Sequence, residues 1–185
     1  MALRPWQVIV AGLCGLVLTI GLARFAYTPL LPAMQAGTGL GDAAAGLLAS
    51  VNYLGYMAGA LAAAWIDDPR WRHRLFSAGL PVAVACTALM GVVEHPLAWG
   101  LLRFVGGLCG ATGMLFGAGL VLSWLMRAGR RPELGTYFTG LGLGILVTAV
   151  AAMAFAPLRL SWERQWLWLG ALGLLFLVPA WAWRP

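Results

Sequence analysis

Six apolar runs with only short breaks between them decide what this chain can fold into. The runs are Trp6 to Met34, Ala43 to Ile66, Leu75 to Val93, Leu97 to Met126, Leu134 to Ala156 and Trp166 to Trp183. The hydrocarbon core of a bilayer is about 30 Å thick, which takes about 20 residues of helix at a rise of about 1.5 Å each. Every run is close to that length or above it. The breaks carry charges, turn formers or both: Gly37-Thr38-Gly39, Asp67-Asp68-Pro69-Arg70, Glu94-His95-Pro96, Arg127 to Glu133, and Pro157 to Arg164. The expected architecture is an all-α membrane protein, one six-helix transmembrane bundle over residues 1–185.

Composition excludes the main rival. A soluble domain needs a polar shell, and a chain 62% hydrophobic and 10% charged, with a mean hydropathy of +0.85, cannot supply one. The net charge of +6 raises nucleic acid as a partner, but placement argues against it. All twelve cations are arginines, mainly in the short breaks, which is how a membrane protein sets its orientation. With the N-terminus in the cytoplasm, Arg4, Arg70, Arg72, Arg74, Arg127, Arg130, Arg131 and Arg184 fall on that side. Only Arg159 and Arg164 fall on the other, so both termini are expected to be cytoplasmic. Tryptophans such as Trp6, Trp65, Trp71, Trp99, Trp124, Trp162, Trp181 and Trp183 lie near expected helix ends, where amphipathic rings prefer to sit. The first run imitates a signal peptide, with Arg4 ahead and Gly21-Leu22-Ala23 behind. It continues through Leu31, however, long enough to span, and is read as a retained helix.

Small residues suggest helix contacts, because lipid offers no hydrophobic drive for association and close backbone approach must do the work. Gly55 and Gly59, Gly106 with Gly110, Gly113 with Gly117, and Gly140 with Gly144 put helices two, four and five at the centre. Helices three and six are then expected to face lipid. Cys14, Cys86 and Cys109 lie inside apolar runs without a CxxC spacing and read as small buried thiols.

Two arginines sit within apolar runs. Arg24 lies seventeen residues beyond Gln7, and Arg103 six beyond Leu97. Helix one runs outward and helix four inward, so both reach similar depth in the outer half of the membrane. A guanidinium keeps its proton and costs roughly 3 kcal/mol or more there unless it faces water, a carboxylate or carbonyls. None of the six runs contains an acidic residue. An anionic solute in a watery cavity would complete both cations, since arginine grips carboxylate or phosphate in a two-pronged geometry. The alternative is that each snorkels to the outer headgroups. Near Arg24, Tyr27 precedes Pro29 and Pro32, which remove backbone donors, kink the helix and expose carbonyls. Helix two adds Ser50, Asn52, Tyr53 and Tyr56, with Tyr53 and Tyr56 on one face. Asn52 either contacts solute or bonds a neighbouring helix. The candidate binding set is Arg24, Tyr27, Asn52, Tyr56 and Arg103. The charged loop with Asp67, Asp68, Arg70, Arg72 and Arg74 is either a solvated anchor or a cytoplasmic gate whose ion pairs form in one conformation.

Gly21 to Met34, then Gly39-Leu40, Ala45 to Ser50, Asn52 to Tyr56 and Gly59-Ala60-Leu61, resemble the YbfB/YjiJ-type branch of the major facilitator superfamily. Arg103-Phe104-Val105-Gly106-Gly107 is similar to that superfamily's arginine followed four residues later by glycine. The charged loop departs from its usual Gly-x-Leu-x-Asp-Arg order: Gly59 and Leu61 match and Asp67 arrives late. Helix five has Gly140, Leu141, Gly142 and Gly144 but no Gly-Pro pair. The resemblance implies half of a major facilitator fold, a 3+3 inverted repeat with helices one and four lining a cavity, in the bacterial inner membrane. It also implies alternating access between two six-helix halves. Such transporters have twelve helices, so this chain is expected to be an N-terminal half, as a fragment or paired with another copy.

The expected function is secondary transport of a small polar or anionic solute, with the bilayer, the solute and a second six-helix half as partners and no nucleic acid. A non-transporting assembly subunit or inactive fragment is the alternative. An enzyme is disfavoured: His73 and His95 fall in breaks, so neither metal, haem nor a Ser–His pair has its base inside the membrane, and no cofactor is expected.

Overall fold

The computed structural model describes residues 3–131 and 134–185. Pro132 and Glu133, in the break between the fourth and fifth runs, lie outside the described residues, as do the first two. Six helices follow in order: α1, Pro5–Thr38; α2, Asp42–Trp65; α3, Pro69–Leu89; α4, Pro96–Arg127; α5, Leu134–Phe155; and α6, Trp162–Ala182. No strand occurs among the described residues. Five of the helices are long and apolar enough to cross a membrane, and α3 is not one of them. Its 21 residues suffice in length, but Arg70, Arg72 and Arg74 lie in its first turns. The six expected helices are all present, and α3 falls short as an apolar span because its helix takes in those arginines ahead of the run from Leu75; it packs through Phe76, Leu80 and Ala83, all buried.

The helix limits differ from the apolar runs for local reasons. The third helix starts at Pro69 rather than Leu75, because Asp68 accepts a hydrogen bond from the Arg70 amide (2.8 Å) and proline suits the first helical position. Charged residues in a capped first turn are helical without being apolar. At the other end, the Gly91 amide donates to Ala88 (3.1 Å) and closes the helix in a tight turn. α1 runs on to Thr38 and stops at Gly39, whose φ of 71° needs a residue without a side chain and whose amide donates to Gln35 (2.9 Å).

The main pairings are α2 with α4 and α5 with α1; α3 packs on α4 and α6 on α1, and α3 and α6 also meet. Glycines make the first two seams. A methyl on Gly107 would strike the Asn52 carbonyl, and one on Gly55 the Phe104 carbonyl. One on Gly21 would come within 2.6 Å of the Gly144 Cα. The glycine pairs on α2 and α5 thus mark one contact line each and not a central position, correcting that expectation. The centre belongs to α1 and α4, and α5 is the least buried span. Leu47, Leu54 and Leu61 of α2, and Leu146, Val150 and Met153 of α5, point outward.

Two stretches have a widened backbone in which each amide reaches the fifth residue back: Val17–Phe25 in α1 and Thr112–Gly117 in α4. They touch, since a methyl on Gly113 would collide with the Thr19 side chain. The Tyr137 hydroxyl of α5 donates to the Gly113 carbonyl (2.7 Å). Trp6 and Trp183 meet edge to face with centroids 5.3 Å apart, so both ends of the chain lie at one end of the bundle.

Candidate functional site

Arg103 projects from α4 into α1. Its Nη1 donates to the Ala23 carbonyl (3.1 Å), and Nη1 and Nη2 both reach the Arg24 carbonyl (3.4 Å each). Its guanidinium carbon lies 4.5 Å from the centre of the Tyr27 ring, and the residue is only 4% exposed. Arg103 therefore meets neither headgroup nor carboxylate. The widened turn explains why carbonyls are free to receive it. The Ala26 amide bonds back to Gly21 (3.1 Å), and Pro29, five residues past Arg24, has no N–H to bond the Arg24 carbonyl in that pattern.

Arg24 points the other way, into α2. Its guanidinium carbon lies 4.5 Å from the Tyr53 ring centre, 4.6 Å from that of Tyr56 and 5.5 Å from that of Phe25. Cation–π contacts at half-exposed positions like these are worth about 0.5–1 kcal/mol each. The residue is half-buried, its Nε is buried without a partner, and among the described residues no hydrogen bond or ion pair engages its donors.

The remaining members of the set hold the helices in register. Asn52, fully buried, donates from Nδ2 to the Arg103 carbonyl (2.7 Å), while its Oδ1 has no partner. Tyr27 donates its hydroxyl to the Ala45 carbonyl (3.0 Å), tying α1 to α2. The Tyr56 hydroxyl reaches the Met114 sulfur (3.0 Å). The structure therefore gathers Arg24, Tyr27, Asn52, Tyr56 and Arg103 where α1, α2 and α4 meet. Pro32 follows in the same helix as Pro29, and both are exposed. Tyr53 was outside the candidate set although it forms one wall around Arg24; its three-residue offset from Tyr56 on the same helix was the available signal.

The charged loop lies apart from this cluster. Arg72 pairs with Asp67 at 3.2 Å and donates from Nε to the Ile66 carbonyl (2.6 Å), and Arg74 lies over Trp71. That pair is the one salt bridge among the described residues. Beside it, Arg72, Arg127, Ser123 and Phe116 line a cavity of about 490 Å³ where α2, α3 and α4 meet. No three His, Cys, Asp or Glu side chains gather as a metal site among the described residues.

A family model described as "Uncharacterised MFS-type transporter YbfB" matches residues 16–185. The chain belongs to this family. No curated protein matches it. The match begins within α1 and runs through all later helices, so it takes in every residue of the Arg24–Arg103 cluster. The YbfB-type assignment and the apolar helices together make the chain a multi-pass integral membrane protein of a transporter family. The sequence resemblance, drawn from helices one, two and four, is the same family.

Proposed function

We propose that the chain is the N-terminal half of a secondary transporter that moves a small polar or anionic solute by alternating access. The observation carrying this reading is the cluster itself: two permanent cations among the spans, no carboxylate paired with either among the described residues, and donors on Arg24 that no hydrogen bond engages there. A charge held at that depth needs a counter-charge or water, and a visiting anion supplies the former. Tyr27, Asn52, Tyr56 and Arg103 shape the wall behind it.

The helix pairing supports a 3+3 repeat, because α5 on α1 and α2 on α4 are exchanged partners and α3 on α6 joins the two triplets. The outward apolar faces of α2 and α5 are suited to a second six-helix half, which would enclose the cluster. The protein is read as lying in a bacterial inner membrane with both termini cytoplasmic, since the arginine-rich end carries the termini. There, Asp67, Asp68, Arg70, Arg72 and Arg74 form a gate whose ion pairs change partners between states.

Uptake into proteoliposomes tests the reading. Solute entry should require Arg24, and Arg24→Gln should abolish entry of an anion. Absence of flux both alone and with a co-expressed second half would favour an assembly subunit instead.

A further inference from the structure

We infer that the ligand of this site is a singly charged anion with a flat apolar body, an aromatic monocarboxylate, held by Arg24 alone against the Tyr53 ring. The inference rests on the reading above of this cluster as a solute site and narrows its chemistry.

The two arginines are not equivalent. A guanidinium has five N–H donors. Arg103 turns its terminal nitrogens onto the Ala23 and Arg24 carbonyls, has the Tyr27 ring at 4.5 Å, and is sealed from the surroundings. It has no open edge to offer a solute. Arg24 is half-buried, and its donors are engaged by no hydrogen bond or ion pair among the described residues. The site therefore has one available positive charge. A second negative charge on the ligand would find no second cation at a depth where an uncompensated charge is expensive.

The surroundings of Arg24 then choose the body of the ligand. Tyr53, Tyr56 and Phe25 rings surround its guanidinium carbon at 4.5, 4.6 and 5.5 Å. The Tyr56 hydroxyl is already committed to Met114, and Asn52 Nδ2 to the Arg103 carbonyl. A phosphate or a sugar acid needs several further donors and acceptors around its oxygens, and this wall supplies rings. Nε is itself buried, so the two terminal nitrogens are the way in, a pair on which a carboxylate can form its two-pronged contact. Tyr53 is 55% exposed, so beside that edge it presents an uncovered aromatic surface along which a flat apolar group can lie.

Equilibrium binding of radiolabelled benzoate to the full chain in lipid nanodiscs tests this, with phthalate and inorganic phosphate as competitors. Benzoate should bind, and phthalate and phosphate should compete only at concentrations at least about tenfold higher, one unmatched charge costing that much or more. Arg24→Gln should weaken benzoate by about 10- to 100-fold, the range for hydrogen bonds to a charged group. Tyr53→Leu, at an exposed position that leaves packing alone, should weaken it by about 3- to 10-fold. If phosphate or phthalate binds more tightly than benzoate and still depends on Arg24, the single-charge inference is overturned while an anion site remains. If Tyr53→Leu binds benzoate normally, the aromatic contact is wrong. If none of the three anions binds, or Arg24→Gln changes nothing, the solute-site reading falls as well. The competition series uses the unaltered chain, so it decides the charge question even if Arg24→Gln fails to fold.

Discussion

Replacing Gly21 by alanine probes the seam that holds α5 against α1. The added Cβ would lie 2.6 Å from the Gly144 Cα, 3.0 Å from its carbonyl carbon and 3.1 Å from its oxygen. Those are backbone atoms that cannot swing aside, so the two helices must separate by about 1 Å to reach ordinary contact. A gap of that size forfeits a quarter to a half of each atom pair's attraction, about 0.05 kcal/mol apiece. Over several tens of pairs along the seam the loss is about 2–3 kcal/mol. Alanine recovers about 1 kcal/mol through its better helix propensity, leaving a net destabilisation of about 1–2 kcal/mol. Gly142→Ala is the matched control, because a methyl there meets nothing within 4 Å. It should be neutral or stabilising by up to about 1 kcal/mol. Gly144→Ala meets the Gly21 Cα at 2.8 Å and should behave like Gly21→Ala. The double substitution should cost less than the sum, since the second methyl enters a gap already opened. Unfolding in mixed micelles, followed by tryptophan fluorescence, measures all four variants. Equal midpoints for Gly21→Ala and Gly142→Ala would refute the argument from close approach.

Asn52→Ala removes the bond to the Arg103 carbonyl and should destabilise the bundle by about 0.6–1.7 kcal/mol in the same unfolding assay, the range for polar contacts between membrane helices. Asp67→Asn should change stability by less than about 1 kcal/mol, because the carboxylate is almost wholly exposed and its pair with Arg72 is screened; a larger loss would mean the loop is structural in the observed conformation. Ser161→Cys and Ala128→Cys occupy exposed turns at opposite ends of the bundle. In intact cells an impermeant maleimide should label the first and not the second, and the reverse pattern would invert the proposed orientation.

Much of this arrangement was legible because the bilayer imposes a length and charge imposes a cost. Counting residues from each apolar boundary put Arg24 and Arg103 at one depth, and the structure brings Arg103 onto the Arg24 carbonyl. What the guanidinium groups face was not legible. Hydropathy says that a buried arginine needs a partner, but not that a widened turn ahead of Pro29 turns two carbonyls toward it. The start of α3 was missed for a related reason: Asp68 and Pro69 signal a helix by capping, while the arginines after them suppress the apolar signal. Glycine spacing located the seams of α2 and α5 correctly. It could not tell a helix in the middle of a bundle from one with a single packed face, since one stripe of small residues serves either.

The bond from Arg103 to the Ala23 carbonyl joins positions eighty residues apart. A ribosome adding about 5–20 residues per second needs about 4–16 s to make that stretch. During that interval α1 already occupies the membrane with its widened turn unfilled, while its eventual partner has yet to leave the exit tunnel. Newly inserted chains thus pass through a stage in which bare carbonyls and a lone cation stand in or near lipid.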